Sequence, residues 1–127
     1  MIRVLLVDDQ AVVRRALRAR FQLEPDLQVV GEASAGREAL TLAQTLMPDV
    51  VLMDIAMPAM DGIETTAALH QTVPQSNVVI LSISGDAQTR EQAQAAGAVA
   101  FVEKRGATET LLSAIRQVAA QAGKRSE

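Results

Sequence analysis

Three aspartates, a serine and a lysine carry the chemistry open to this sequence. Asp8 and Asp9 close the apolar run Ile2 to Val7, Asp54 closes Val50 to Met53, Ser82 follows Val78 to Leu81, and Lys104 follows the weaker run Val99 to Val102. Short apolar runs without polar alternation read as strands buried on both faces. Ligand chemistry in an open parallel sheet collects beyond the carboxyl ends of its strands, so these residues are expected on one rim. Each has an ordinary structural role as well: Asp8 or Asp9 as a helix N-cap, Asp54 and Ser82 as turn residues, Lys104 as a solvated surface lysine. Those roles leave unexplained why all of them follow strands. Three carboxylates held close repel unless a cation shares the site. Mg²⁺ suits such a site because it takes oxygen ligands, keeps several waters and commonly binds one or two carboxylates plus a phosphate. Lys104 adds a point charge and Ser82 a hydroxyl donor. A metal, a cation, a donor and a carboxylate nucleophile are the parts of phosphoryl transfer.

The elements that must position these residues alternate regularly. Besides the runs above, Leu27 to Val30 gives a second weak strand, and between the strands lie segments with helical spacing: Val12, Ala16, Leu17, Phe21; Ala39, Leu40, Ala43, Leu46; Leu111, Leu112, Ile115, Val118, Ala119. Breakers mark the joins at Glu24-Pro25-Asp26, Met47-Pro48-Asp49, Val73-Pro74 and Gly97. Five β/α units in succession predict right-handed crossovers and a parallel sheet covered on both faces by helices. The fold class is α/β, a flavodoxin-like, doubly wound five-stranded parallel sheet in a single domain. Residues 1–121 form it, and 122–127 are expected to be a polar tail or the start of a linker.

Composition narrows the function. With 127 residues, one core is expected, and with 49% hydrophobic but only 2% aromatic residues it must be filled by aliphatic side chains. A net charge of −3, without a basic run, argues against nucleic-acid binding by this chain alone. There is no cysteine and a single histidine, His70, so zinc sites are excluded and any metal is bound by oxygen. The apolar runs are too short for a signal peptide or a membrane span. A cytoplasmic protein is expected.

The stretches Val4-Leu5-Leu6-Val7-Asp8-Asp9-Gln10, Val30-Gly31-Glu32-Ala33 and Pro48 through Gly62, with Ser82 and Lys104 in register, resemble the receiver domains of two-component response regulators. The likeness is strongest to receivers of transcription factors that carry a C-terminal helix-turn-helix of the LuxR type. It implies a phosphorylation-activated switch rather than an enzyme, with Asp54 as phosphoacceptor and Mg²⁺, replaceable by Mn²⁺, as cofactor. Asp9 would bind the metal directly, Asp8 through a metal-bound water, and Ala56 through its backbone carbonyl. Lys104 and Ser82 would contact the phosphoryl group, and Phe101 would be the aromatic whose rotamer follows Ser82. Met57-Pro58 and Gly62 would shape the loop after Asp54, Gly62 by adopting a backbone angle that other residues resist. The implied partner is a sensor histidine kinase or phosphotransfer protein; a phosphorylation-dependent homodimer is a further one, and DNA would be reached through an effector domain outside this chain.

Three departures from the family pattern stand out. Arg105 follows Lys104 where many members have proline, so a cis bond is not expected there. Ala56 and Ser84 are small at positions that influence water access, and Ile83 is bulky enough to narrow it. A haloacid-dehalogenase-type phosphohydrolase is disfavoured because Ala56 stands where its second Asp is required. A nucleotide- or flavin-binding module is disfavoured because Asp8-Asp9 replaces a phosphate cradle, and a purely surface-binding pseudo-receiver because the acidic triad and Lys104 are intact.

Overall fold

A computed structural model describes residues 1–55, 62–82, 87–104 and 108–125, of which 123–125 by backbone alone. The elements alternate as β1 (Ile2–Val7), α1 (Ala11–Phe21), β2 (Leu27–Ala33), α2 (Gly36–Leu46), β3 (Val50–Asp54), α3 (Gly62–Thr72), β4 (Asn77–Ser82), α4 (Ala87–Ala96), β5 (Ala100–Glu103) and α5 (Thr108–Arg125). All strands pair in parallel in the order β2-β1-β3-β4-β5. This is the doubly wound sheet expected from the alternation. The order reverses direction at β1/β3, and that crevice is where such sheets bind ligands.

The apolar stretches Val4–Val7 of β1, Val50–Met53 of β3 and Val78–Leu81 of β4 supply both faces of the sheet, because successive side chains point to opposite sides. Val4, Leu6, Leu52, Val79 and Leu81 pack with Phe21 of α1 and with Leu112, Ile115 and Val118 of α5. Leu5, Val7, Val51, Met53 and Ile80 pack with Ala39 and Ala43 of α2, Leu69 of α3 and Ala93 of α4. Truncating a fully buried member such as Leu112 to alanine costs about 2–5 kcal/mol in sites of this kind.

β2 and β5 are the sheet edges, and there the strands depart from the weak runs that forecast them. β2 continues through Gly31 and Glu32 to Ala33, beyond Val30, with a register shift in its pairing between Val4 and Leu5 of β1. β5 starts at Ala100, one residue after the half-exposed Val99. An edge strand is partly open to solvent, so it tolerates polar residues that blur its hydropathy. α5 continues through Arg125, so residues 122–125 carry on its helical backbone.

Two glycines are used differently from one another. Gly97, ahead of β5, has φ +113, and an added Cβ would lie 2.7 Å from the His70 ring. Gly62 was expected to supply an unusual backbone angle, but its φ is not in the left-handed region. Its requirement is space: a Cβ would lie 2.5 Å from the Asp54 carbonyl oxygen and 2.5 Å from the Ile55 Cα. Its N–H donates to the Ile55 carbonyl at 2.8 Å, which draws the start of α3 against the end of β3.

Candidate functional site

The sheet delivers the predicted residues to one rim. β1 and β3 are neighbours with Val7 opposite Met53, so Asp8 and Asp54 emerge side by side. Carboxylate oxygens of Asp8, Asp9 and Asp54 all lie within 4.8 Å of one another. Asp8 and Asp54 are 2% and 5% exposed, whereas Asp9 faces solvent. β5 brings Lys104 to the same place: its Nζ lies 3.3 Å from Asp8 Oδ2 and 3.4 Å from Asp54 Oδ2. The Lys104 N–H donates to the Ser82 carbonyl at 2.7 Å, which fixes the end of β5 to the end of β4. Ser82 itself is buried.

Asp8 is not the helix cap that its position allowed. Gln10 occupies the N-cap of α1 and makes no side-chain capping bond, while Asp8 Oδ1 accepts the Gln10 N–H at 2.9 Å. That local bond turns the chain into α1 and leaves Asp8 Oδ2 to Lys104. One ammonium thus sits among three carboxylates, and the donor set is all oxygen, as a hard divalent ion requires. Oxygens on one Mg²⁺ lie at most about 4.2 Å apart, twice its usual metal–oxygen distance, close to the spacing of these three. The acidic pocket can therefore hold Mg²⁺. The Ala56 carbonyl, Met57-Pro58, Ile83, Ser84 and Arg105 fall outside the described residues.

Phe101 lies on β5, half-buried and opposite Ile80 of β4, with the Arg90 guanidinium 4.8 Å from its ring centroid. An open hollow of about 190 Å³, lined by Arg90, Ala93, Gln94 and Ala98 among others, adjoins the ring. A stacked guanidinium of this kind contributes about 0.5–1 kcal/mol where solvent reaches it.

Sequence reasoning passed over a second shell of charges. Arg14 of α1 donates to the Asp8 carbonyl at 2.5 Å and to Glu32 at 3.2 Å, and Arg18 donates to Glu32 at 2.7 Å. The Arg18 hydrogen bond, with Arg14 beside it, holds the Glu32 carboxyl below its ordinary value against a smaller opposing effect of burial. The i,i+4 spacing of Arg14 and Arg18 was visible in the sequence. Their shared partner on β2 was not, since it depends on how far the edge strand extends.

The family model for the response regulator receiver domain matches residues 4–116. Transcriptional regulatory protein LiaR of Bacillus subtilis (strain 168) is 40% identical over 116 residues, covering 91% of this chain and 55% of LiaR. Among solved structures, the signal receiver domain of the putative response regulator NarL from Mycobacterium tuberculosis superposes with TM-score 0.89 at 31% identity, covering 94% of this chain and 96% of that one. A LuxR-family two-component response regulator from Aurantimonas sp. SI85-9A1 gives TM-score 0.90 at 32% identity, covering 94% of this chain and 85% of that one. The chain belongs to the response regulator receiver domain family of two-component systems. It spans about half the length of the curated relatives it matches. Among the described residues, no helix is long and apolar enough to cross a membrane.

Proposed function

We propose that Asp54 is the phosphoacceptor of this receiver, taking a phosphoryl group from a phosphohistidine of a sensor kinase or phosphotransfer protein in a Mg²⁺-dependent reaction. The observation that carries the reading is the convergence of the Asp8, Asp9 and Asp54 oxygens within 4.8 Å, with Lys104 Nζ 3.3 and 3.4 Å from two of them. An Asp54 carboxylate oxygen forms the bond to phosphorus as the nitrogen–phosphorus bond breaks, and its electron pair returns to the imidazole. Asp9, Asp54 and the Ala56 carbonyl would hold the metal, with Asp8 reaching it through a metal-bound water, and it would supply neutralisation of charge on the transferring group. Lys104 exchanges its carboxylate partners for a phosphoryl oxygen, and Ser82 donates its hydroxyl to another. Each such bond contributes roughly 1.5–3 kcal/mol, enough to tip a switch whose states differ by a few kcal/mol. As Ser82 moves toward the phosphate, the Phe101 ring turns inward and the α4–β5 surface repacks.

The chain acts as a switch rather than an enzyme, in the cytoplasm. Phosphorylation favours pairing with a second copy, and transcription is regulated through a LuxR-type helix-turn-helix in the full-length regulator. This portion alone does not bind DNA specifically, in keeping with its net charge of −3; a sequence-specific band shift with these residues contradicts that.

Intact-mass measurement with acetyl phosphate tests the core of the reading. One phosphate adds in Mg²⁺ or Mn²⁺ and none in chelator, and Asp54→Asn takes none; an undiminished adduct in that variant sinks the assignment. For the switch, Ser82→Ala and Lys104→Ala are compared with the parent by NMR, with and without beryllofluoride and Mg²⁺. Both give much smaller shift changes across 87–102. Full-sized changes in both mean that the signal leaves the site by another route.

A further inference from the structure

We propose that Arg14 is a positioning residue for the metal site, holding the Asp8-Asp9 turn in the shape that presents both carboxylates to Asp54. The proposal rests on the reading of Asp8, Asp9 and Asp54 as the Mg²⁺ site and adds the group that holds their backbone. The polar atoms of Asp8 are bound from several sides. Its N–H donates to the Ala33 carbonyl at 3.1 Å, Oδ1 accepts from the Gln10 N–H at 2.9 Å, Oδ2 faces Lys104 Nζ at 3.3 Å, and its carbonyl accepts from Arg14 at 2.5 Å. The first three come from the sheet, the turn and β5. Of these four, the bond from Arg14 alone comes from α1; the helix otherwise meets the turn through the Val13 and Arg14 N–H groups on the Gln10 carbonyl, and its N-cap Gln10 contributes no side-chain bond.

Arg14 is itself aimed. Its Nε donates to Glu32 Oε1 at 3.2 Å, and Glu32 Oε2 is held by Arg18 at 2.7 Å. The Arg14 side chain is only 17% exposed. A guanidinium presents its donors in a rigid plane, so fixing Nε on β2 fixes the terminal nitrogen on the Asp8 carbonyl. A merely electrostatic role would have the opposite sign. Removing a cation beside three carboxylates strengthens binding of a divalent cation, whereas removing a brace weakens it. Arg18 supplies the control, since it carries the same charge and the same Glu32 partner and has no hydrogen bond to Asp8.

Mg²⁺ titrations followed by the amide shifts of Asp9 and Gln10 read the difference. Arg14→Met is expected to bind Mg²⁺ roughly tenfold more weakly than the parent, the low end for losing a group that orients metal ligands. Arg18→Met is expected to stay within about twofold of the parent, on the tighter side, as befits one screened surface charge. Arg14→Met binding as tightly as Arg18→Met overturns the proposal. If Arg14→Met does not fold, Arg14→Lys against Arg18→Lys decides without a change of charge: weakening confined to position 14 supports the brace, and equal affinities overturn it. A parent chain without Mg²⁺-dependent shifts, or an Asp54→Asn variant titrating like the parent, overturns the metal reading itself and the proposal with it. Intact Mg²⁺ binding with matched Arg14 and Arg18 variants overturns the proposal alone.

Discussion

The two sides of α1 handle charge in opposite ways. Against α5 and the α1–β2 connection, Arg116 pairs with Glu24 at 2.6 Å and with Asp26 at 2.8 Å, while Arg20 pairs with Glu24 at 2.7 Å and with Glu109 at 3.0 Å. Two guanidiniums serve three carboxylates, most of them open to solvent. Toward the sheet rim, three carboxylates converge, and Lys104 reaches the two that are buried, Asp8 and Asp54. The first arrangement holds α5 to the body of the domain. Among the described residues the second gathers its carboxylates around fewer cations, an arrangement that could accept a hard cation. Stability and function are thus drawn from the same residue types, separated by how completely the charges are matched.

Asp9→Ala tests the mismatched side most severely. Mg²⁺ affinity is expected to fall by more than about tenfold, because a hard cation loses one of very few protein ligands; calorimetric titration showing parent-like affinity removes Asp9 from the site. Next in size is Gly62→Ala, expected to destabilise by about 2–3 kcal/mol because its Cβ meets backbone atoms of Asp54 and Ile55 rather than side chains that can move aside. Denaturant midpoints check it, and a cost under about 0.5 kcal/mol means that α3 stands off from the site more freely than described. A smaller gain is expected from Asp9→Asn in Mg²⁺-free buffer. Relief of repulsion among the three carboxylates raises the thermal midpoint by about 4 °C, the shift given by roughly 1 kcal/mol at this size. A lower midpoint means that the rim is electrostatically balanced without metal.

The smallest effect belongs to the matched side. The Arg20 and Arg116 hydrogen bonds hold Glu24 below its ordinary value, and the Arg116 hydrogen bond does the same for Asp26. Groups with lowered folded values contribute stability above the unfolded carboxylate range and lose it as pH falls through their folded values. Thermal midpoints should therefore decline on acidification below about pH 4.5, where these carboxyls titrate when unfolded. Arg116→Gln should decline less steeply, and parallel curves for variant and parent dismiss the network as a source of acid sensitivity.

The central strands were legible because a stretch buried on both faces has to be apolar, and Val4–Val7 of β1, Val50–Met53 of β3 and Val78–Leu81 of β4 are. α3 and α4 were implied by alternation more than by their own residues. α3 buries Thr65 and Thr66 beside Leu69, and α4 buries only Ala93, so neither shows the apolar stripe that α5 does. The rim residues could be read because each lies at or just past the end of a strand's apolar run. The Arg14–Glu32 brace could not, since it joins a helix face to an edge-strand residue whose position is set by the pairing of Leu6 with Glu32. Gly62 was singled out correctly, but for backbone freedom. The close approach of α3 to Asp54 that actually requires it is a tertiary fact.

The strand order also sets a timetable for synthesis. β1 lies between β2 and β3, so its second edge stays unpaired until residue 54 has been made. At roughly 5–20 residues per second, the interval from residue 7 to residue 54 is on the order of 2–10 s. Throughout it an apolar strand with at least one open edge awaits its partner. Among the strands that end up paired on both sides, the one that later presents Asp8 and Asp9 therefore waits longest for its second partner.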